Sequence, residues 1–169
     1  MKMTFEKLAE IVLKEITPKL ENNIGVAIFA KERAKFEGWF KVELCESLSK
    51  HFPTSTIIPE KDRIDITFDD WAIELKTVNT NYRYRYKNVE NKHRPITKNI
   101  QGVIKDIEKL GSTDYINKAV LFVVFPVTHN HKSWQTHLEK ISESLKYVKH
   151  REFEFKNKVP GVIYFGSIQ

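Results

Sequence analysis

The chain has 169 residues, of which 41% are apolar, 12% aromatic and 30% charged, with a net charge of +6. That is enough chain for one domain with a real core, residues 1–169 together, and it is too apolar for a disordered one. No apolar run approaches the roughly 18–20 residues of a membrane span, and the lone Cys45 rules out an internal disulfide and fits a reducing cytoplasm.

The first stretch, from Met3 to about Asn22, reads as an amphipathic helix with Phe5, Leu8, Ile11, Val12, Ile16 and Leu20 on one stripe. It contains acids, unlike a signal or transit peptide, and Pro18 is expected to kink or end it. A second helix is predicted from about Lys31 to Lys50, with Phe36, Phe40, Leu44 and Leu48 at helical spacing. The segments PTSTIIPE, RIDITF and WAIELKTV read as three strands. A third helix opens at Pro95 or Thr97, turns Ile100, Val103, Ile104 and Ile107 inward and stops at Gly111. KAVLFVVFPV is a continuous apolar run of the kind found in strands buried on both faces. Ser133 to Lys149 is predicted as a fourth helix, and REFEFK and GVIYFGSI as closing strands. The order α-α-β-β-β-α-β-α-β-β predicts an α/β fold, a mixed sheet flanked by helices.

Two strands carry unusual outward residues. FDDW separates RIDITF from WAIELKTV, and a turn at Asp69 and Asp70 sets Phe68 against Trp71. In that antiparallel register Asp65 lies directly opposite Glu74, with Cβ atoms roughly 4.5–5.5 Å apart. Ile64, Ile66, Phe68, Ile73 and Leu75 take one face; Asp65, Glu74 and Lys76 take the other. Opposed carboxylates repel, and one pKa should rise unless a cation neutralises the pair. Mg²⁺, with Mn²⁺ as a substitute, suits one or two carboxylates, several waters and a phosphate oxygen. A nearby lysine can hold the attacking water or balance charge at phosphorus. The combination points to phosphodiester hydrolysis, against the plainer reading of a solvated strand face.

These residues resemble the PD-(D/E)XK nuclease superfamily, which places an acid on the second core strand and D/E-x-K on the third. IDITF and IELK match those two elements, and the helix FEGWFKVELCESL matches the leading helix, which often supplies a further acid. The order α-β-β-β-α-β, from about Lys31 to Val127, is similar to the family core. The resemblance implies a restriction-endonuclease-like fold and Mg²⁺-dependent DNA cleavage. Asp65 and Glu74 would bind metal with the main-chain carbonyl of Leu75, and Lys76 would serve the water or the transition state. Glu43 or Glu37 would support the metal through water; Glu43, beside Leu44 in the VEL string, is preferred. Glu60 is a further outer acid. Ile64 stands where the family often has proline. Cutting two strands with one site per chain points to a homodimer. The rival reading is a nuclease fold that grips nucleic acid or a partner protein without cutting.

The positive charge is concentrated. From Lys76 to Lys105 there are eight basic residues and one acid, Glu90, which leaves the rest of the chain slightly negative. Within NYRYRYKNVENKHR, Tyr82, Tyr84 and Tyr86 alternate with Arg83, Arg85 and Lys87, an arrangement suited to base stacking and phosphate contact. Packed tyrosines on a continued strand are the plainer account. Lys98, Gln101 and Lys105 share the outer face of the next helix and are candidate backbone contacts. HNH at residues 129–131 reads as a loop and helix cap, and no cysteine or acid completes a zinc set around His129, His131 and His137. Cys45 reads as buried rather than nucleophilic. No Gly-rich phosphate loop is present, which argues against an NTPase.

Overall fold

The structure is a computed structural model and describes residues 3–82, 89 and 96–168. Three helices lead the chain: α1 (Phe5–Asn22), α2 (Ile24–Lys31) and α3 (Glu37–His51). Strands β1 (Ile57–Pro59), β2 (Ile66–Phe68) and β3 (Trp71–Asn79) follow, then α4 (Ile96–Gly111), β4 (Asn117–Phe125), α5 (Lys132–Ser142), β5 (Leu145–Glu154) and β6 (Pro160–Ile168). The six strands form one mixed sheet in the order β1-β2-β3-β4-β6-β5, in which only β3 and β4 run parallel. No helix among the described residues is long and apolar enough to cross a membrane.

The sheet is covered on both faces. Alternate residues of β3 and β4 (Ile73, Leu75, Leu121, Val123 and their neighbours) pack with the apolar stripes of α1 and α3. The intervening set (Val78, Val120, Phe122, Val124) packs with Ile100, Val103 and Ile107 of α4 and with Trp134 of α5. Both faces of β4 are buried, which is why its sequence does not alternate.

Four segments differ from the sequence expectation, the first being the helix expected from about Lys31, which begins only at Glu37 as α3 while Lys31 closes α2. Pro18 lies inside α1, which runs on to Asn22 and ends where the Asn23 side chain caps α2 by accepting from the Val26 N–H at 2.9 Å. The α2 segment is almost wholly apolar and leaves Ile24, Ile28 and Phe29 exposed, so it has no amphipathic signature. Residues 145–149, expected as helix, begin β5. This is an outer strand with mostly exposed side chains, and the register shift between Leu145 and Tyr147 breaks its alternation.

The feature that shapes the site is a difference in strand length. β3 pairs with β4 over its full length, from Trp71↔Asn117 to Asn79↔Phe125, but with β2 only from Trp71 to Ile73. Beyond Ile73, one edge of β3 has no strand beside it. The turn before β2, Lys61–Arg63, is tight: Glu60, Asp62 and Arg63 all take left-handed φ angles of 57°, 55° and 62°. Non-glycine residues hold such angles at a cost.

At its far end β3 is held by a buried arginine. Arg33 is 2% exposed; its guanidinium donates to the carbonyls of Thr80 and, at 2.8 Å, Tyr82, while Asn79 donates to the Arg33 carbonyl. The chain is thereby fixed where it enters the basic segment. A lysine has a single compact ammonium in place of the planar fork whose two nitrogens each reach one carbonyl. Arg33→Lys is expected to lower the urea unfolding free energy by about 1.5–3 kcal/mol, the worth of one hydrogen bond from a charged donor, and an unchanged midpoint would show that the clamp contributes nothing.

Candidate functional site

The hairpin keeps the expected register over its paired residues, Phe68↔Trp71, Thr67↔Ala72 and Ile66↔Ile73, and the ladder ends there. Asp65 itself lies one residue before β2. Its side chain takes over where the ladder stops, and Oδ2 accepts the Leu75 N–H at 2.8 Å. One turn of pleat further on, Glu37 of α3 does the same, its Oε1 accepting the Thr77 N–H at 3.0 Å and the Thr77 hydroxyl at 3.3 Å. Two carboxylates thus replace the missing strand. In an extended strand the N–H and C=O of one residue point to the same side. The Leu75 carbonyl therefore faces the same open edge, between the amides that Asp65 and Glu37 occupy.

Glu74 is 4% exposed and is directed to the α4 side. Its carboxyl lies beside that of Asp65 and accepts from Lys109 of α4, which also donates to the Arg63 carbonyl. Burial and the Asp65 carboxylate push Glu74 up to about 8, against an ordinary value of 4.5, with Lys109 opposing. Asp65 moves the other way. Burial alone would raise it, but the hydrogen bonds from Glu74, Lys41 and Leu75 outweigh burial and hold it below the usual range. Burial and mutual repulsion thus favour the protonated form at Glu74 and the ionised form at Asp65.

Lysines surround the pair. Lys41 of α3 bridges Asp65, at 2.8 Å from Oδ1, and Glu60. Burial disfavours its ammonium, yet these two acids raise its pKa well above the ordinary value. Lys76 reaches α4 and pairs with Asp106 Oδ2 at 2.7 Å. Burial again opposes the charge and Asp106 overrides it, with Glu37 and Asp65 adding to the effect, so its pKa is raised.

The structure therefore brings Asp65, Glu74, Leu75, Lys76 and Glu37 to one place. Glu43, the preferred helix acid from sequence, is not among them: its carboxylate pairs with Lys19 of α1 at the back of α3. Helical phase is the reason. Glu37 and Lys41 are one turn apart and share the face over the hairpin, whereas Glu43 is rotated toward α1. Three residues that the sequence does not assign to the site also belong there: Lys41, Asp106 and Lys109. Asp106 and Lys109 lie one turn apart on α4, beside the apolar stripe, where a charged side chain has no sequence signature of its own.

Among the described residues no group of three or more His, Cys, Asp or Glu side chains could hold a metal ion. Asp65 and Glu74 are a pair, and a hard cation such as Mg²⁺ takes one or two carboxylates, main-chain carbonyls and waters. Once both are ionised, the two carboxylates beside an edge-facing carbonyl are a donor set suited to such an ion. His129 and His131 stand apart: His129 stacks on His150 and bonds the Tyr164 hydroxyl at 2.9 Å, and His131 stacks on Tyr82 at 4.2 Å. Cys45 is half-buried, and burial pushes its thiol up. Lys98 and Gln101 are exposed on α4, and so is Lys105. Tyr82 is half-buried against His131. Arg83, Tyr84, Arg85, Tyr86 and Lys87 lie outside the described residues.

Compared with protein-family models, curated proteins and solved structures, the chain matches none.

The raised Glu74 pKa makes stability depend on pH. Below about pH 4.5 Glu74 is protonated in folded and unfolded chains alike; between about 4.5 and 8 the unfolded chain releases the proton and the folded one keeps it. Stability that is full at the acid end is therefore lost as pH rises toward 8. Glu74→Gln removes the titration while keeping the shape. The urea unfolding free energy of the wild type is expected to fall relative to that of Glu74→Gln across this window, with a slope of at most about 1.4 kcal/mol for each pH unit. A constant difference between the two proteins would mean that Glu74 is ionised throughout.

Proposed function

We propose that the protein is a metal-dependent nuclease of the PD-(D/E)XK type that hydrolyses phosphodiester bonds in DNA. The observation that carries this reading is the open edge of β3: Asp65 on the Leu75 amide, Glu37 on the Thr77 amide, and Glu74 and Lys76 projecting from the strand between them. Supporting it is the succession α3-β1-β2-β3-α4-β4, which has the element order of a restriction-endonuclease-like core. A strained turn before Asp65 is a second support, since strain of this kind collects at working sites.

Asp65, Glu74 and the Leu75 carbonyl would hold Mg²⁺ or Mn²⁺, with Glu37 behind them through water. The metal would supply an activated water and neutralise charge at phosphorus. The protein's own residues do the rest. Lys41 and the Leu75 amide fix both oxygens of Asp65. Glu74 must give up its proton before it can act as a ligand. Lys76, kept protonated by Asp106, is suited to donate to a phosphate oxygen rather than to remove a proton from water. The basic stretch from Lys76 to Lys105, which includes Arg83, Arg85, Lys87 and Lys98, supplies the positive field for a polyanion. A homodimer would place two such sites on the two strands of a duplex.

One observation favours the alternative, a nucleic-acid- or partner-binding module that does not cut. Each central group is already partnered inside the protein: Asp65 by Lys41, Glu74 by Lys109 and Lys76 by Asp106. A plasmid-nicking assay with Mg²⁺, Mn²⁺ and EDTA separates the two. Metal-dependent nicking that disappears in Lys76→Ala, with DNA affinity retained, is the expected result. Undiminished cutting by Lys76→Ala would remove the lysine from the mechanism, and a wild type that binds without cutting would establish the module.

The basic segment gives a separate measurement. Replacing Arg83, Arg85 and Lys87 with alanine is expected to weaken DNA binding and to flatten its dependence on salt by up to about 0.9 log unit per lost phosphate contact. An unchanged slope would assign these residues to another surface.

A further inference from the structure

The lysine of the site is not left to find its own direction. Lys76 leaves β3 toward α4, and its ammonium meets Asp106 Oδ2 at 2.7 Å, with both side chains about four-fifths buried. Its aliphatic stem crosses α4 at Gly102, where a Cβ would stand 3.3 Å from Lys76 Cε. Glycine is unfavourable inside a helix, and here its missing side chain leaves the space that the lysine stem fills. Gly102 and Asp106 are one helical turn apart, so the stem and the head of Lys76 are received by consecutive turns of the same face. Long lysine side chains carry substantial rotamer freedom, and this seat removes it. The two acids of the hairpin are engaged elsewhere: Glu74 by Lys109, and Asp65 by Lys41.

We propose that Asp106 is a positioning residue for Lys76, holding the ammonium at one place beside the β3 edge so that it meets the phosphate without reorganising. This rests on the nuclease reading, and it adds α4 to the catalytic apparatus as the element that aims the lysine. Asp106 does not touch the substrate; it acts through Lys76. Misplacing a catalytic group by about 1 Å can cost on the order of a hundredfold in rate.

The test compares wild type, Asp106→Asn and Asp106→Glu by two readouts. The first is Mg²⁺-dependent cleavage at saturating DNA, with affinity measured separately. Asp106→Asn is expected to lose on the order of a hundredfold in turnover with affinity changed less than about twofold, and Asp106→Glu, which keeps the charge, to recover part of the loss. The second needs no activity: reductive methylation with formaldehyde and cyanoborohydride, followed lysine by lysine by mass spectrometry. Lys76 should be modified several-fold faster in Asp106→Asn, while Lys118 and Lys146 keep their wild-type rates. Circular dichroism establishes that the variants are folded. Equal turnover in wild type and Asp106→Asn overturns the positioning role and leaves the nuclease reading standing. Unchanged methylation of Lys76 shows that Asp106 does not hold it and overturns the proposal as well. If the wild type does not cut, both readings fail together, and a rise in Lys76 methylation then leaves only a structural ion pair.

Discussion

Everything at the site follows from the hydrogen bond between the Asp65 carboxylate and the Leu75 amide. A buried backbone N–H must have a partner, and at Leu75 the neighbouring strand has already turned away. The chain supplies a side-chain oxygen instead, which fixes Asp65 in place and brings it against Glu74. Once the two carboxyls meet, burial and repulsion drive their pKa values apart, and lysines from α3 and α4 gather around them. The site is thus less an addition to the fold than the way in which the fold completes an unfinished ladder.

The ion pairs around this centre do different kinds of work. Lys19 with Glu43 and Glu46 ties α1 to α3 on the outer side of the helix layer, and pairs of that type contribute little to stability. Lys41, Lys109 and Asp106 serve groups that are largely out of water. Removing Lys41 or Asp106 leaves Asp65 or Lys76 as a charge without compensation, which is far more costly than the pair itself is favourable. The helices on the two faces are therefore bound to the same few residues of β3 from opposite sides. α3 contributes Glu37 and Lys41, and α4 contributes Asp106 and Lys109.

The hairpin is legible in the sequence from Ile66 to Ile73 because alternation and a two-residue turn determine register, but the alternation does not reach back to Ile64, which packs with Ala72 and Leu110 on the α4 side. Asp69, with a φ of 50°, takes the left-handed turn position that aspartate tolerates. The buried character of β4 and the inward stripe of α4 are equally plain from composition and period. What sequence does not supply is contact between distant segments. Glu37 and Glu43 are both acids on one helix, and only the packing of α3 on the sheet decides which reaches β3. Lys109 and Asp106 are ordinary charged residues on an amphipathic helix until the helix is docked. The start of β5 escapes for a local reason: an outer strand with exposed polar side chains and a bulge offers neither an apolar run nor a clean alternation.

The unequal lengths of β2 and β3 have one more consequence. A strand that loses its neighbour halfway along offers free amides to any other extended chain, and such edges are where sheets of separate molecules join. In this protein the amides of Leu75 and Thr77 are already occupied by Asp65 and Glu37. An incoming strand would have to displace two acids, one of them anchored by a lysine, and would offer only neutral carbonyls in return. The same carboxylates that give the edge its chemistry also keep it from becoming a template for self-association.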